Sequence, residues 1–275
     1  MPKNEDILVT GGAGSIGSEL VRQLIRENNV YILDNNETAF FNLHEELNYA
    51  EIRVRGKVGD VRDKGTLRRI IKEWGSPTLI YHAAALKHVT PSAWSPEDYI
   101  STNIDGTLNI LRLAEDCNAK MVNISTDKVV NANSIMGATK RVAEIAVRNA
   151  EQVSVRFGNV LGSRGSVIEI WQRQIDLGLP LTVTDENMTR YMMTIPEACE
   201  LVIKGGEIAW PGKIAIMDMG EKVNVLKLAQ EILGKSKKDL GIKMIGIRPG
   251  ETLTETLMTP EEAQGAKKIE EFWII

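Results

Sequence analysis

Three stretches of this chain carry residues suited to chemistry rather than to packing. The first is Thr10-Gly11-Gly12-Ala13-Gly14-Ser15-Ile16-Gly17. The apolar run Ile7 to Thr10 precedes it, and Ile16, Leu20, Val21, Leu24 and Ile25 follow at helical spacing. Glycines between a strand and a helix let the backbone approach a pyrophosphate, and the helix start presents free N–H groups and a positive dipole end. Two registers fit: Gly12, Gly14, Gly17 or Gly11, Gly14, Gly17. Asp34 closes the next apolar run, about 20 residues on, where a ribose-binding acid belongs. As a ribose ligand it repels a 2′-phosphate, and no arginine or lysine follows within the next few residues, so the pattern favours NAD over NADP. The alternative is that Asp34 only caps the helix beginning near Glu37. The expected cofactor contacts are Gly11, Gly14, Ser15, Ile16, Gly17 and Asp34. Asp60 and Val61, after a third run, suit adenine, although Asp60 reads equally as a turn residue.

The second stretch, Ala83 to His88, follows a fourth apolar run. Ala83 and Ala84 are small enough for a cofactor to lie on the sheet edge, while His88 reads as a hydrogen-bonded structural histidine. The third is Ser125-Thr126-Asp127-Lys128, with Lys140 one turn into the next helix.

The elements that must position these residues alternate. Strands are predicted over Ile7 to Thr10, Val30 to Leu33, Ile52 to Val58, Thr78 to His82, Lys120 to Ile124 and Val153 to Phe157. Helices lie between them, including a long one from near Pro96 striped by Ile100, Ile104, Leu108 and Leu111. This predicts an α/β fold, a Rossmann-type doubly wound parallel sheet. The three stretches all leave strands at their carboxyl ends, where such sheets bind ligands, and that coincidence argues for an enzyme. After Val160 the pattern changes to a turn-rich loop, Gly162 to Ser166, and shorter elements. Residues 1–160 and about 191–220 are assigned to the dinucleotide-binding domain. Residues of about 161–190 and 221–275 form a small interleaved C-terminal substrate lobe.

The chain has 275 residues, 43% hydrophobic and 25% charged, with a formal net charge of −4. That suffices for one large domain or two closely packed ones. No basic excess points to nucleic acid or an anionic membrane. Cys117 and Cys199 fit reduced structural thiols, which with no signal-peptide pattern points to the cytoplasm. No stretch approaches the ~18 apolar residues of a membrane span. No His, Cys, Asp or Glu spacing suggests a metal site; His44 reads as a helix-surface residue, and Met188, Met192 and Met193 as packing.

The glycine loop with Thr126 and Lys140 resembles the extended short-chain dehydrogenase/reductases. In that family a tyrosine four residues before the lysine carries redox chemistry, and here Met136 stands in its place. A narrower match lies in His82 to Val89, Ser125 to Lys128, Met136 to Arg141, Arg156 to Ser166, Met188 to Tyr191 and Arg248 to Glu251. In order and spacing these are similar to the inverting UDP-N-acetylglucosamine 4,6-dehydratases, the CapD-like capsular polysaccharide biosynthesis proteins, one branch of which carries Met at the tyrosine position. The resemblance runs to about Met258 and does not extend over Thr259 to Ile275. The chain departs from the pattern at Ala132 and Glu169, where proline is expected, and a C-terminal segment common in relatives is expected to be missing.

The resemblance implies a lyase with tightly bound NAD(P) acting on a UDP-sugar. Hydride leaves sugar C4, a base removes the C5 proton, the C6 hydroxyl departs as water, and hydride returns to C6. It implies Lys128 as the C5 base, Asp127 as the acid, Thr126 on the C4 hydroxyl and Lys140 on the nicotinamide ribose. The group that takes the C4 hydroxyl proton is Asp127, Lys128 or a water, since Met136 has no basic atom. Lys87, Asn159, Arg164, Arg190, Arg248 and Glu251 are the implied substrate contacts, with arginine suited to the two phosphates. A homo-oligomer, a dimer or higher, is implied, pairing the helices around Tyr99 to Leu113 and Arg141 to Asn149. Two rivals are a UDP-sugar 4-epimerase of the same fold and a silent NAD-binding regulatory subunit.

Overall fold

A computed structural model describes residues 1–50 and 54–275. Its first half alternates as predicted: β1 (Asp6–Thr10), α1 (Ser15–Leu24), β2 (Asn29–Asp34), α2 (Glu37–Tyr49), β3 (Arg55–Val58), α3 (Lys64–Trp74) and β4 (Leu79–His82). Ile52 and Arg53 of the expected third strand lie outside the described residues. α3 shows why these boundaries fall where they do. The Asp63 side chain accepts the Gly65 N–H at its start, Leu67 and Ile70 supply a buried stripe, and Gly75 at φ 93° stops it.

The long helix expected from Pro96 is one continuous run that passes from α to π and back to α. α4 (Val89–Ser92) and α5 (Pro96–Tyr99) lead into a π-helical segment, Ile100–Gly106, before α6 (Thr107–Cys117). The wide turns carry Asn103, which is 1% exposed. Its side chain clips the backbone of Leu86, accepting the N–H at 2.8 Å and donating to the C=O at 3.0 Å. β5 (Lys120–Ile124), α7 (Ile135–Asn149) and β6 (Val153–Arg156) complete this part. The buried face of α7 is Met136, Thr139, Lys140, Ala143 and Val147, whereas Val142 and Ile145 point outward.

Beyond it come β7 (Asn159–Val160), α8 (Val167–Asp176), β8 (Leu181–Val183), β9 (Thr189–Arg190), β10 (Met192–Met193), α9 (Ile195–Ile208), β11 (Ile214–Met217), β12 (Val223–Asn224), α10 (Val225–Ser236), β13 (Ile242–Met244), α11 (Pro260–Gly265), β14 (Lys267–Ile269) and β15 (Phe272–Ile274).

The main sheet has nine strands in the order β14-β15-β11-β6-β5-β4-β1-β2-β3. All neighbours from β3 to β11 pair in parallel. Strand order reverses between β1 and β4, so their following loops part and open a crevice at the carboxyl edge. One apolar core holds α1 and α9 on one face through Leu20, Leu24, Ala198 and Val202; another holds α3 and α6 on the opposite face through Leu67, Ile70 and Ile110. A third core of Trp171, Ile175, Leu181, Val183 and Ala229 joins α8, β8 and α10 into the small lobe. Its edge differs from the sequence-based boundary. Residues 267–275 leave the lobe, and β15 pairs antiparallel with β11 at the end of the main sheet. Phe272 and Ile274 face that sheet's core, which draws the segment there. Among the described residues no helix is long and apolar enough to cross a membrane.

Candidate active site

The crevice is built from the loops after β1, β2, β3 and β4. Gly11 adopts φ +64°, and a Cβ there would lie 2.6 Å from the Ala84 N. The two loops flanking the switch point therefore touch backbone to backbone. At Gly17 a Cβ would stand 2.0 Å from the Gly11 carbonyl oxygen, so no larger residue lets α1 start this close to β1. α1 begins at Gly14 with no side-chain cap and no acidic residue in its first turn, the arrangement an anion needs. A cleft of about 580 Å³ opens beside it, lined by Gly11, Gly14, Asp34, Asp60, Val61 and Ala84.

Asp34 accepts the Ala13 N–H on one carboxylate oxygen (2.9 Å) and the Asn36 N–H on the other (2.8 Å). Each oxygen keeps a lone pair for a hydroxyl, so its ribose and turn functions are compatible. No cation follows Asp34 closely in the chain, but Arg62 lines the same cleft. Its guanidinium is engaged by Asp60 at 2.8 Å, and that hydrogen bond holds the Asp60 carboxyl below its ordinary range.

Under the cleft, Thr10 and Thr107 hold His82 from both sides, at 2.7 and 3.0 Å. Thr107 donates its own proton to the Asn103 carbonyl, so it accepts from His82 Nε2–H, and Nδ1 accepts from Thr10. Burial, with help from the Lys140 cation, pushes the His82 pKa down to about 3. The folded form thus excludes a proton that an unfolded histidine takes up below about 6.5. Stability from this group is present above pH 6.5 and is lost as the pH falls toward 3. Urea midpoints should decline from pH 6.5 to 5, and His82→Gln should flatten that decline. Parallel declines in both proteins would assign the effect elsewhere.

Past β5 the chain turns sharply. Thr126 accepts the Lys128 N–H and donates to Asp127 Oδ1 at 3.0 Å. Asp127 is fully buried. Its Oδ1 also receives Lys128 Nζ at 2.9 Å, and the same ammonium donates to Asn159 Oδ1 at 2.9 Å. Oδ2 is buried with no hydrogen-bond partner among the described residues, packed close to Gly158 together with Tyr191 and Met219. Lys140 projects from the first turns of α7 and donates to the Ile124 carbonyl. Burial lowers its pKa to about 8 against the opposing pull of Glu144. Met136, at the tyrosine position, is 2% exposed.

Thr126, Asp127, Lys128, Asn159 and Lys140 thus gather at the ends of β5 and β6. Lys87 Nζ donates to Ser163 Oγ at 3.1 Å, and its pKa is lowered by burial first, against Glu169, with Arg164 and Lys128 adding to the lowering. A proton and charge relay can operate here: an amine and a carboxyl in contact, one carboxyl oxygen free.

The implied substrate arginines fare differently. Arg190 is 7% exposed and donates to the carbonyls of Thr189, Thr252 and Leu253. It ties the lobe together before it can meet a phosphate. Arg248 is exposed and paired with Glu251 at 2.8 Å. Arg164 is not at the lobe's surface but against the glycine loop. Its Nη2 donates to the Ala13 carbonyl at 2.8 Å and its backbone N–H to Ser15 Oγ at 3.0 Å.

Sequence reasoning missed a buried ionic cluster behind the site. Glu144, one turn after Lys140, accepts from Ser125 Oγ at 2.6 Å and from Arg156 Nη2 at 2.6 Å. Arg156 also grips Glu262 at 2.7 Å, and Arg141 bridges Glu144 and Glu262. Arg156, a charged residue at the end of a buried strand, was a local sign of it.

Residues 7–275 match the model of a family described as polysaccharide biosynthesis protein. The chain is 42% identical over 275 residues to the capsular polysaccharide biosynthesis protein CapD of Staphylococcus aureus, covering 94% of this chain and 46% of that one. The chain therefore spans about half the length of that relative. An inverting UDP-N-acetylglucosamine 4,6-dehydratase of Campylobacter jejuni is 30% identical over 100% of this chain and 84% of its own. A UDP-glucose 4-epimerase of Rickettsia canadensis matches at 31%, over 99% and 83%. Among solved structures, Pen from Bacillus thuringiensis superposes with a TM-score of 0.94 at 31% identity, over 99% of this chain and 88% of that one.

Proposed function

The chain belongs to the polysaccharide biosynthesis protein family, and from that premise we propose that it is an NAD-dependent dehydratase. Its substrate would be a UDP-N-acetylhexosamine and its product a 4-keto-6-deoxy sugar inverted at C5. The observation that carries this reading is Asp127: fully buried, bonded on one oxygen to Lys128, and bare on the other. An epimerase has no use for an acid and a base so paired, because it removes no hydroxyl.

The crevice fits a dinucleotide, with an uncapped helix start for the diphosphate and Asp34 with Asp60 in the cleft beyond it. When bound, NAD supplies a store for the hydride taken from C4 and given back to C6. The chain's own residues do the rest. Thr126 hydrogen-bonds the C4 hydroxyl and Lys140 holds the nicotinamide ribose. Passing one proton from Lys128 Nζ to Asp127 across their 2.9 Å contact yields a neutral amine and a carboxylic acid together. The amine removes the C5 proton, the acid donates the proton it received to the departing C6 oxygen, and a proton returns to C5 from the opposite face. The C4 hydroxyl proton passes to Asp127, Lys128 or a water. Lys87 and Asn159 face the sugar. Arg248, once it releases Glu251, and the remaining donors of Arg190 meet the phosphates. The exposed Val142 and Ile145 of α7, with exposed Ile100, form the face on which a second copy would dock.

The second reading, a UDP-sugar 4-epimerase, is favoured by an epimerase relative at 31% identity beside the dehydratase at 30%. Incubation with UDP-N-acetylglucosamine and NAD separates them by product mass. Loss of one water supports the dehydratase, and an unchanged mass with an altered C4 centre supports the epimerase. No turnover would leave a regulatory dinucleotide binder.

A further inference from the structure

The loop between β7 and α8 does more than connect them. Gly162 and Gly165 both take positive φ, +70° and +67°, which folds the loop back over the crevice. It is pinned on three sides. Ser163 Oγ receives Lys87 Nζ and donates to the Val160 carbonyl. The Gly165 N–H donates to Glu169 Oε2 at 2.6 Å, and a Cβ at Gly165 would meet the His88 ring at 2.6 Å. Glu169 thus stabilises this loop. The third attachment is Arg164, bonded to Ala13 and Ser15 of the glycine-rich loop.

We propose that Arg164 is a clasp on the dinucleotide: the preformed strap Gly162 to Ser166 sets its guanidinium beside the start of α1, where it grips the cofactor's diphosphate and slows its release. The inference rests on the dinucleotide reading and adds to it a residue that crosses from outside the cofactor fold. Three features support it. One donor of the guanidinium is held by the Ala13 carbonyl, which fixes the fork, and its other N–H groups are free of partners among the described residues. Arg164 and Lys87 concentrate positive charge in a chain of net charge −4, at a helix start that already favours anions. A reaction that returns its hydride within one turnover also has no need to exchange cofactor, so a clasp carries no kinetic penalty.

The test is the rate at which the full chain releases NADH. Protein loaded with NADH is mixed with excess NAD, and the decay of bound-NADH fluorescence is followed. Nucleotide that co-purifies is counted after heat release. Arg164 is exposed and fills no core, so Arg164→Gln should melt like the unaltered chain. Its NADH should leave about tenfold faster or more, the effect of losing one charge-assisted hydrogen bond, and less nucleotide should co-purify. Arg164→Lys, which keeps charge but not the fork, should fall between. Equal release rates in the Gln variant and the unaltered chain would overturn the clasp while leaving the dinucleotide reading intact. An unaltered chain that binds neither NADH nor NAD would remove both.

Discussion

Lys128→Ala is expected to abolish loss of water from the sugar while leaving NAD binding close to that of the unaltered chain. The Lys128 ammonium sits 2.9 Å from both Asp127 Oδ1 and Asn159 Oδ1, and among the described residues no hydrogen bond ties it to the glycine loop or to Asp34. In the proposed reaction its removal takes away the base at C5 and the donor that converts Asp127 into an acid. Each function is worth about 10² to 10⁴ in rate, and they fail together because one proton transfer creates both. Asp127→Asn should be nearly as damaging: it keeps the shape and the contact with Lys128 but cannot pass a proton. The measurement is product mass with UDP-N-acetylglucosamine, beside NAD affinity by titration. If Lys128→Ala dehydrates the sugar at an undiminished rate, Lys128 leaves the mechanism. If it loses NAD binding as well, the defect is in the fold of the site rather than in proton transfer.

What could be read from the sequence was what local pattern determines. The apolar runs of β1, β2, β4, β5 and β6 are buried on both faces, and each was visible as a short apolar stretch with its functional residues directly after it. The glycine loop, Asp34 and the Thr126 to Lys128 turn all owe their places to those strand ends, and they gather as expected. Features set by long-range packing were not visible. The π-helical turns at Ile100–Gly106 keep the apolar stripe of an ordinary helix; what widens them is Asn103 reaching the backbone of Leu86. Arg164 lies in the sequence beside lobe residues, and only the two positive-φ glycines bring it back to Ala13. β14, with Lys267 and Lys268, has almost no strand signature and pairs because Phe272 and Ile274 have a core to fill. One local sign was available in that region: Thr259 and Glu262 form a capping box at the start of α11, a helix the apolar pattern alone does not announce.

That helix delivers Glu262 to Arg156, and Arg156→Ala is expected to cost about 3–5 kcal/mol of folding stability, the range for removing one member of a buried ion pair. Every donor of the Arg156 guanidinium is used. Nε and Nη2 reach Glu144, Nη1 reaches Glu262 and the Leu257 carbonyl, and Nη2 also reaches Glu262. Arg156 and Glu144 are both 0% exposed. Without the guanidinium two carboxylates face each other with Arg141 as their only shared cation, and the Glu144 bond to Ser125, next to Thr126, loses its anchor. A loss of this size is a large fraction of the about 5–15 kcal/mol that holds a typical domain together. Arg156→Lys should rescue little, because one ammonium cannot fork to two carboxylates. The pH dependence has a definite sign. Burial works to raise the Glu262 pKa, but Arg156, then the Thr259 N–H, then Arg141 bring it to about 2, from an ordinary 4.5. Its contribution is therefore complete above about pH 4.5 and disappears as the pH falls toward 2, and Glu262→Gln should remove that acid-sensitive part. Urea unfolding of the three variants at pH 7, and of Glu262→Gln beside the unaltered chain as the pH falls from about 5 toward 2, measures all of this. A midpoint for Arg156→Ala within experimental error of the unaltered chain would mean that the cluster does not hold the β5 and β6 ends, and that Thr126 and Asp127 owe their positions to the sheet alone.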